Sequence, residues 1–316
     1  MITVIAGGVG AARLLSGLVQ VHPPAEITAI VNVGDDTTLH GLAISPDLDT
    51  ITYTLAGEID QVRGWGLSGE TWQAMQTLGR YGGLTWFNLG DRDLGTHLYR
   101  TQRRSEGVPL SVVTAEIAAG WGLEVTLLPV TDDAVPTMIT VTMPSSDGPG
   151  EQREIGFQEY FVQHQHSLPA SAIRFAGAAE ARPAPGVLES IEAADLVVIA
   201  PSNPLISIDP VLAIPGVRDA IAARRDRCVA VSPIIAGAAL KGPADRLMRE
   251  LGHPATVVGV ADLYAELAAV LVIDSADAAL DSDVEESGLR AVVAPTIMSG
   301  PAEAAALARV VLEAFE

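Results

Sequence analysis

The apolar run Ile2-Thr3-Val4-Ile5-Ala6 passes directly into Gly7-Gly8-Val9-Gly10, and from Ala11 to Gln20 apolar side chains recur at helical spacing. This reads as strand, tight turn and helix. A second apolar run, Ile27 to Val33, closes in Gly34-Asp35-Asp36. A helix crossing between two apolar strands is the opening of a parallel sheet. The theme continues at Val125 to Val130, Asp195 to Ala200, Cys228 to Val231, Ala269 to Ile273 and Ala291 to Ala294, with helical stretches near 242–251 and 301–315. Strands apolar on both faces need cover on both faces, so the expected class is α/β: a doubly wound, mainly parallel sheet.

Two stretches break that rhythm. Residues 50–123 are helical with few strand signals, and eight of the 14 aromatic residues, all four tryptophans included, fall between 53 and 121. They are expected to decorate the carboxyl edge of the sheet, where a planar heteroaromatic ligand would find stacking partners. Residues 132–185 carry a hairpin signal at Ser146-Asp147-Gly148-Pro149-Gly150 and leave through Arg182-Pro183-Ala184-Pro185-Gly186, which reads as a small inserted lobe. The expected organisation is a core of 1–131 and 186–316 with the lobe between.

Composition narrows the partners. A formal charge of −20 repels a polyanion, so nucleic acid is not the expected ligand. No apolar run reaches the roughly 18 residues that would span a bilayer. The start carries no basic region or cleavage signal, and Cys228 is the sole cysteine, so a cytoplasmic location is expected. Lys241 is the sole lysine, which makes it conspicuous.

Four clusters can carry chemistry. Gly7, Gly8 and Gly10 would let a phosphate approach the backbone at a helix N-terminus. Arg13 stands where a dinucleotide fingerprint needs its third glycine, and the second strand holds Asn32 where an acidic ribose ligand belongs, so a nicotinamide enzyme is disfavoured. No lysine follows a glycine turn as a P-loop requires, and no G-x-S-x-G elbow exists for a serine hydrolase. Asp35 and Asp36, with Asp47 and Asp49 in Ser45-Pro46-Asp47-Leu48-Asp49-Thr50, gather carboxylates suited to a hard cation such as Mg²⁺ beside a phosphate. The bland alternative is helix capping, Asp49 ahead of a helix starting at Thr50 and Asp35 likewise. Asn88-Leu89-Gly90-Asp91-Arg92-Asp93 leads to His97, which could orient or deprotonate a hydroxyl, while a solvated turn feeding a helix with Arg100, Arg103 and Arg104 is the plainer reading. At later strand ends, Ser202, Asn203, Ser232 and Lys241 are candidates for base or phosphate recognition.

Taken together, the segments AGGVGAAR (Ala6 to Arg13), VNVGDD (Val31 to Asp36), SPDLDT (Ser45 to Thr50), LGDRD (Leu89 to Asp93), PSNP (Pro201 to Pro204) and VSPI (Val231 to Ile234) resemble, in order, the 2-phospho-L-lactate transferase family of coenzyme F-420 biosynthesis. The resemblance implies a Rossmann-like core with an inserted lobe, a homodimer and dependence on Mg²⁺. It implies transfer of a 2-phospholactyl or phosphoenolpyruvyl group from a guanosine diphosphate donor to the ribityl hydroxyl of the deazaflavin FO, with release of GMP. Carried over by residue, it places Asp49 and Asn88 at the deazaflavin, with Asp91 and Arg92 beside them. Gly7, Gly8, Val9, Gly10, Arg13, Ser202, Asn203 and Lys241 fall at the nucleotide, Asp35 and Asp49 at the metal, and Asp49 or His97 at the departing proton. Asn88 departs from members that have lysine there. The region Arg63-Gly64-Trp65-Gly66 is reminiscent of bacterial members, whose donor carries enolpyruvate. On this reading Asp49→Ala abolishes transfer and leaves the fold intact. The competing class is a nucleotide-sugar-binding regulator of the gluconeogenesis-factor type, in which glycines and serines tend to follow the aspartate pair; here Thr37-Thr38-Leu39-His40 follows.

Overall fold

A computed structural model describes residues 1–144, 150–240 and 242–315. Seven parallel strands form the central sheet, in the spatial order Arg290–Ala294, Val270–Asp274, Cys228–Val231, Leu196–Ile199, Ile2–Ala6, Ile27–Val31 and Thr126–Pro129. The first strand therefore lies inside the sheet, fifth in this order, and the chain winds outward from it twice in opposite directions. Strand order reverses between Ile2–Ala6 and Leu196–Ile199, the position where doubly wound sheets open a ligand crevice at their carboxyl ends. All five residues of the first strand and all four of Leu196–Ile199 are buried, which explains their apolar character; the one polar side chain, Thr3, donates its hydroxyl to the Ser190 carbonyl at 2.7 Å.

The turn out of the first strand is held by two backbone requirements. Gly8 has φ of +69°, a left-handed conformation that glycine adopts at little cost. At Gly10 a Cβ would collide with the carbonyl oxygen of Pro201, so this helix can approach the neighbouring strand end only without a side chain there. The helix that follows, Gly8–Val21, packs on the C-terminal helix Pro301–Leu312, with Gly17 seated against the Ala304 carbonyl.

Between the second and third strands in sequence lie the helices Pro46–Leu55, Gln73–Arg80, Asp93–Ser105 and Leu110–Gly120. A short antiparallel pair, Thr37–Leu39 with Leu42–Ile44, precedes them. The first helix begins at Pro46, whose fixed φ suits a helix start, so Asp49 sits inside the first turns and caps nothing. Within 132–185 an antiparallel sheet pairs Thr137–Met143 with both Glu151–Gly156 and Ala170–Phe175. The hairpin signal at 146–150 lies largely outside the described residues. Among the described residues no helix is long and apolar enough to cross a membrane.

Candidate functional site

The carboxyl ends of the strands open into a cavity of about 850 Å³. Gly7, Gly8, Val9 and Gly10 form one side, with Arg13 one helical turn further on. Facing them is the corner after Leu196–Ile199. Ser202 Oγ donates to the Gly7 carbonyl at 2.6 Å, tying the two strand ends together. Asn203 Oδ1 accepts from Leu205 N at 3.0 Å, while its Nδ2 is buried without a partner among the described residues. Arg13 Nη1 reaches the Met298 carbonyl at 3.1 Å. Ser232 also lines this end. Lys241 lies outside the described residues.

Next to the glycine turn is a crowded acidic mouth. Asn32 Nδ2 donates to Asp47 Oδ2 at 2.9 Å and to Asp35 Oδ1 at 3.3 Å, and its Oδ1 accepts from Gly34 N at 2.7 Å. Ser45 Oγ donates to Asp36 Oδ2 at 2.8 Å, and Asp36 Oδ1 is buried with no partner among the described residues. These carboxylates are held by neutral donors, and their acidities show it. Burial pushes Asp36 up to about 8, with the Ser45 hydroxyl and the Arg100 charge opposing it. Burial raises Asp47 to about 6 against the Asn32 amide and the Gly8 N–H. Asp35 lies well above the carboxylate range because it is buried and faces Asp47. A buried acid left short of positive charge favours its proton or a cation. The Asn32 position, read in the sequence only as a missing ribose ligand, is the hinge of this cluster.

Asp49 is on another face of the same helix, as the diverging spacing of Asp47 and Asp49 requires. Its carboxylate receives both terminal nitrogens of Arg100, Nη1 at 3.1 Å from Oδ2 and Nη2 on Oδ1. His97 Nδ1 stands 3.7 Å from Asp49 Oδ2, and His97 Nε2 is 3.2 Å from Asp93 Oδ2. Asp93 Oδ1 takes the Tyr53 hydroxyl at 2.6 Å, and that hydroxyl is also 2.8 Å from Thr96 Oγ1. Burial works against charge on Asp93, but the His97 contacts and the Tyr53 hydroxyl hold its pKa below the ordinary value. Burial likewise opposes charge on Arg100, yet Asp49 keeps its pKa raised. Asp49, Asp93 and His97 offer ligand atoms within 4.8 Å of one another. Removing Asp49 would leave a buried guanidinium unpaired, so the expectation that Asp49→Ala spares the fold needs correction: that variant carries a stability cost of about 3–5 kcal/mol.

Aromatic side chains roof the cavity. Trp65, carried between Gly64 and Gly66, lines it together with Trp86, Phe87 and Tyr53. The Arg63 guanidinium lies 5.5 Å from the Trp65 ring and 5.2 Å from that of Trp72. From 132–185, Phe157 and Phe161 stack at 5.4 Å on the cavity wall, and Gln158 Nε2 donates to the Asp35 carbonyl at 3.0 Å.

Of the residues singled out from sequence, Gly7, Gly8, Val9, Gly10, Arg13, Asp35, Asp49, Asn88, His97, Ser202 and Asn203 line this one cavity. Asp91 and Arg92 do not. Asp91 accepts from Gln73 N at 2.9 Å, from Ala74 N at 3.0 Å and from the Thr71 hydroxyl, fastening the start of Gln73–Arg80. Arg92 pairs with Glu58 at 3.2 Å and donates to the Ser68 carbonyl. The sequence reading missed Arg100, Asp93 and Tyr53 as members of the site. Asp93, His97 and Arg100 recur on one helix face, which is the signal that would have grouped them. Phe157, Gln158 and Phe161 gave no local signal.

With this geometry in place, comparison with known proteins is specific. The family model described as 2-phospho-L-lactate transferase CofD matches residues 2–297. A phosphoenolpyruvate transferase of Streptomyces griseus is 45% identical over 100% of this chain and 98% of its own. Another from Mycolicibacterium smegmatis is 40% identical over 99% of this chain and 98% of its own. In the solved structures, a UPF0052 family member from Bacillus halodurans superposes with a TM-score of 0.62 at 18% identity, covering 98% of each chain, which speaks to the fold alone. The chain belongs to the 2-phospho-L-lactate transferase CofD family.

Proposed function

We propose that this protein transfers a phosphoenolpyruvyl or 2-phospholactyl group from a guanosine diphosphate donor to the ribityl hydroxyl of FO, releasing GMP, in coenzyme F-420 biosynthesis. The names of its relatives in Streptomyces griseus and Mycolicibacterium smegmatis favour the enolpyruvyl donor. The observation that carries the reading is one cavity that joins a phosphate-accepting glycine turn, a cation-seeking acidic mouth and an aromatic roof.

The donor's diphosphate would lie along Gly7 to Gly10, where N–H groups at the helix start favour negative charge. Arg13 and the unpartnered Nδ2 of Asn203 add donors there. The acidic mouth fits Mg²⁺: the buried Asp35 and Asp47 carboxylates line the cavity and share a single neutral amide donor, Asn32 Nδ2. Asp35 and Asp49, reaching into the cavity from separate elements, are the residues proposed to hold the ion. When bound, it neutralises phosphate charge as the leaving group departs.

The ribityl oxygen attacks the phosphorus that bears the enolpyruvate or lactate, and the bond from that phosphorus to the oxygen of GMP breaks. Such a displacement needs alignment and charge neutralisation more than covalent catalysis. Of the two candidate proton acceptors, Asp49 is favoured. His97 has both ring nitrogens facing carboxylates, Nδ1 toward Asp49 and Nε2 toward Asp93. The aromatic roof suits the planar deazaflavin. A homodimer remains part of the proposal, read by light scattering.

The test is one reaction containing the protein, Mg²⁺, FO and both donors in competition, followed by mass spectrometry. A phosphodiester product matched by GMP establishes the transferase, and its two-hydrogen mass difference names the donor. A folded protein that binds nucleotide and makes no product sinks the proposal.

A further inference from the structure

Among the described residues Arg100 is the only buried arginine, 2% exposed, and such a charge is costly to bury unless its partner is well made. Its guanidinium meets Asp49 with both terminal nitrogens, and Nη1 also lies 3.4 Å from the Ala43 carbonyl and 3.4 Å from His97 Nδ1. The backbone around it is fastened from the same side. Thr101 Oγ1 accepts from Ala43 N at 2.8 Å and donates to the His97 carbonyl at 2.6 Å, joining Asp93–Ser105 to the strand Leu42–Ile44 just ahead of the helix that carries Asp49. A two-pronged contact fixes the plane of a carboxylate as well as its position. Asp49 also lies in the field of the acidic mouth, since its charge raises Asp36. Without a bidentate partner its carboxylate would be free to turn away from those acids.

We propose that Arg100 is a positioning residue for the transfer: it locks the Asp49 carboxylate in the orientation that meets the acceptor hydroxyl. This rests on the transferase reading above. Simple charge compensation is the rival explanation, and it makes a different prediction for lysine, which keeps the charge and loses the planar fork.

The experiment is steady-state kinetics of the full-length parent, Arg100→Lys and Asp49→Glu with Mg²⁺, donor and FO, alongside GDP binding by calorimetry. The expected result for Arg100→Lys is GDP affinity within twofold of the parent, KM values little changed, and kcat lower on the order of 10²-fold, the scale of a misplaced reacting group. Turnover of Arg100→Lys within twofold of the parent overturns the proposal in favour of charge compensation. If Arg100→Lys does not fold, Asp49→Glu decides, because it retains Arg100 and shifts the carboxylate by one methylene. A comparable fall in kcat supports positioning, and kcat within twofold of the parent overturns it. A parent that makes no product overturns the transferase reading and this one together, whereas an active parent with an unaffected variant overturns this one alone.

Discussion

Two acidic groups meet at the cavity and are built in opposite ways: Asp35 and Asp47 of one and Asp49 and Asp93 of the other line it, while Asp36 does not. Asp35, Asp36 and Asp47 are held by an amide, a hydroxyl and backbone N–H groups, and their protons are retained to unusually high pH. Asp49 and Asp93, on the helices Pro46–Leu55 and Asp93–Ser105, are matched with Arg100, His97 and Tyr53. The first group is unfinished without something positive. The second finds a positive partner within the chain. On the proposed reading, Asp35 of the first group and Asp49 of the second would both hold the ion, and Arg100 keeps Asp49 still.

The sharpest way to break the division is at Asp49. Asp49→Asn keeps an acceptor for Arg100 and removes the proposed base, so turnover should fall by about 10²–10⁴-fold with GDP binding retained; a fall of less than tenfold would remove Asp49 from the chemistry. The two groups should also differ in stability. Arg100→Met leaves Asp49 buried and unpaired and should cost about 3–5 kcal/mol in urea unfolding. Asp36→Asn, by contrast, should leave metal-free stability at pH 8 equal or higher, because it relieves a charge the fold does not favour.

A third prediction concerns pH. Above about pH 4 the unfolded chain has lost protons that the folded mouth still holds, so the folded state binds more protons and stability falls as pH rises. The window runs through about 6 for Asp47 and about 8 for Asp36. Metal-free protein should therefore lose on the order of a few kcal/mol between pH 5 and pH 8, and Mg²⁺ at pH 8 should restore much of it. Asp93, whose pKa is held down, titrates below this window and does not contribute. A Tm that is flat or rising from pH 5 to pH 8 in chelator would show that the mouth is not short of charge. The smallest effect is expected at Asp91→Ala, which removes the acceptor at the start of Gln73–Arg80 and should lower stability only slightly, with KM for FO unchanged. A large rise in that KM would return Asp91 to the substrate.

What could be read from the sequence was whatever is local. The glycine turn announces itself because strand, turn and helix are contiguous, and the strand ends at Asp35, Ser202 and Ser232 follow from the alternation of apolar runs. The capping alternative, a helix from Thr50 behind Asp49, fails because Pro46 marks the start four residues earlier. Arg100 was legible only as one of several arginines on a polar helix. Its meaning comes from Asp49, 51 residues earlier, and no spacing rule links two helices. Phe157 and Gln158 reach the site through the packing of 132–185 over the sheet, which is a tertiary fact with no imprint on the local sequence.

The hydroxyl of Ser202 on the Gly7 carbonyl joins residues 195 positions apart in the chain. During synthesis the strand Ile2–Ala6 can pair with Ile27–Val31, but its other edge has no neighbour until Leu196–Ile199 has left the ribosome. Until then the nascent protein holds a mostly apolar strand with one side open, an arrangement inclined to pair with the wrong chain. The corner that joins Gly7 to Ser202 consequently becomes native only after residue 202 is made, and chains truncated before residue 196 should be held by chaperones.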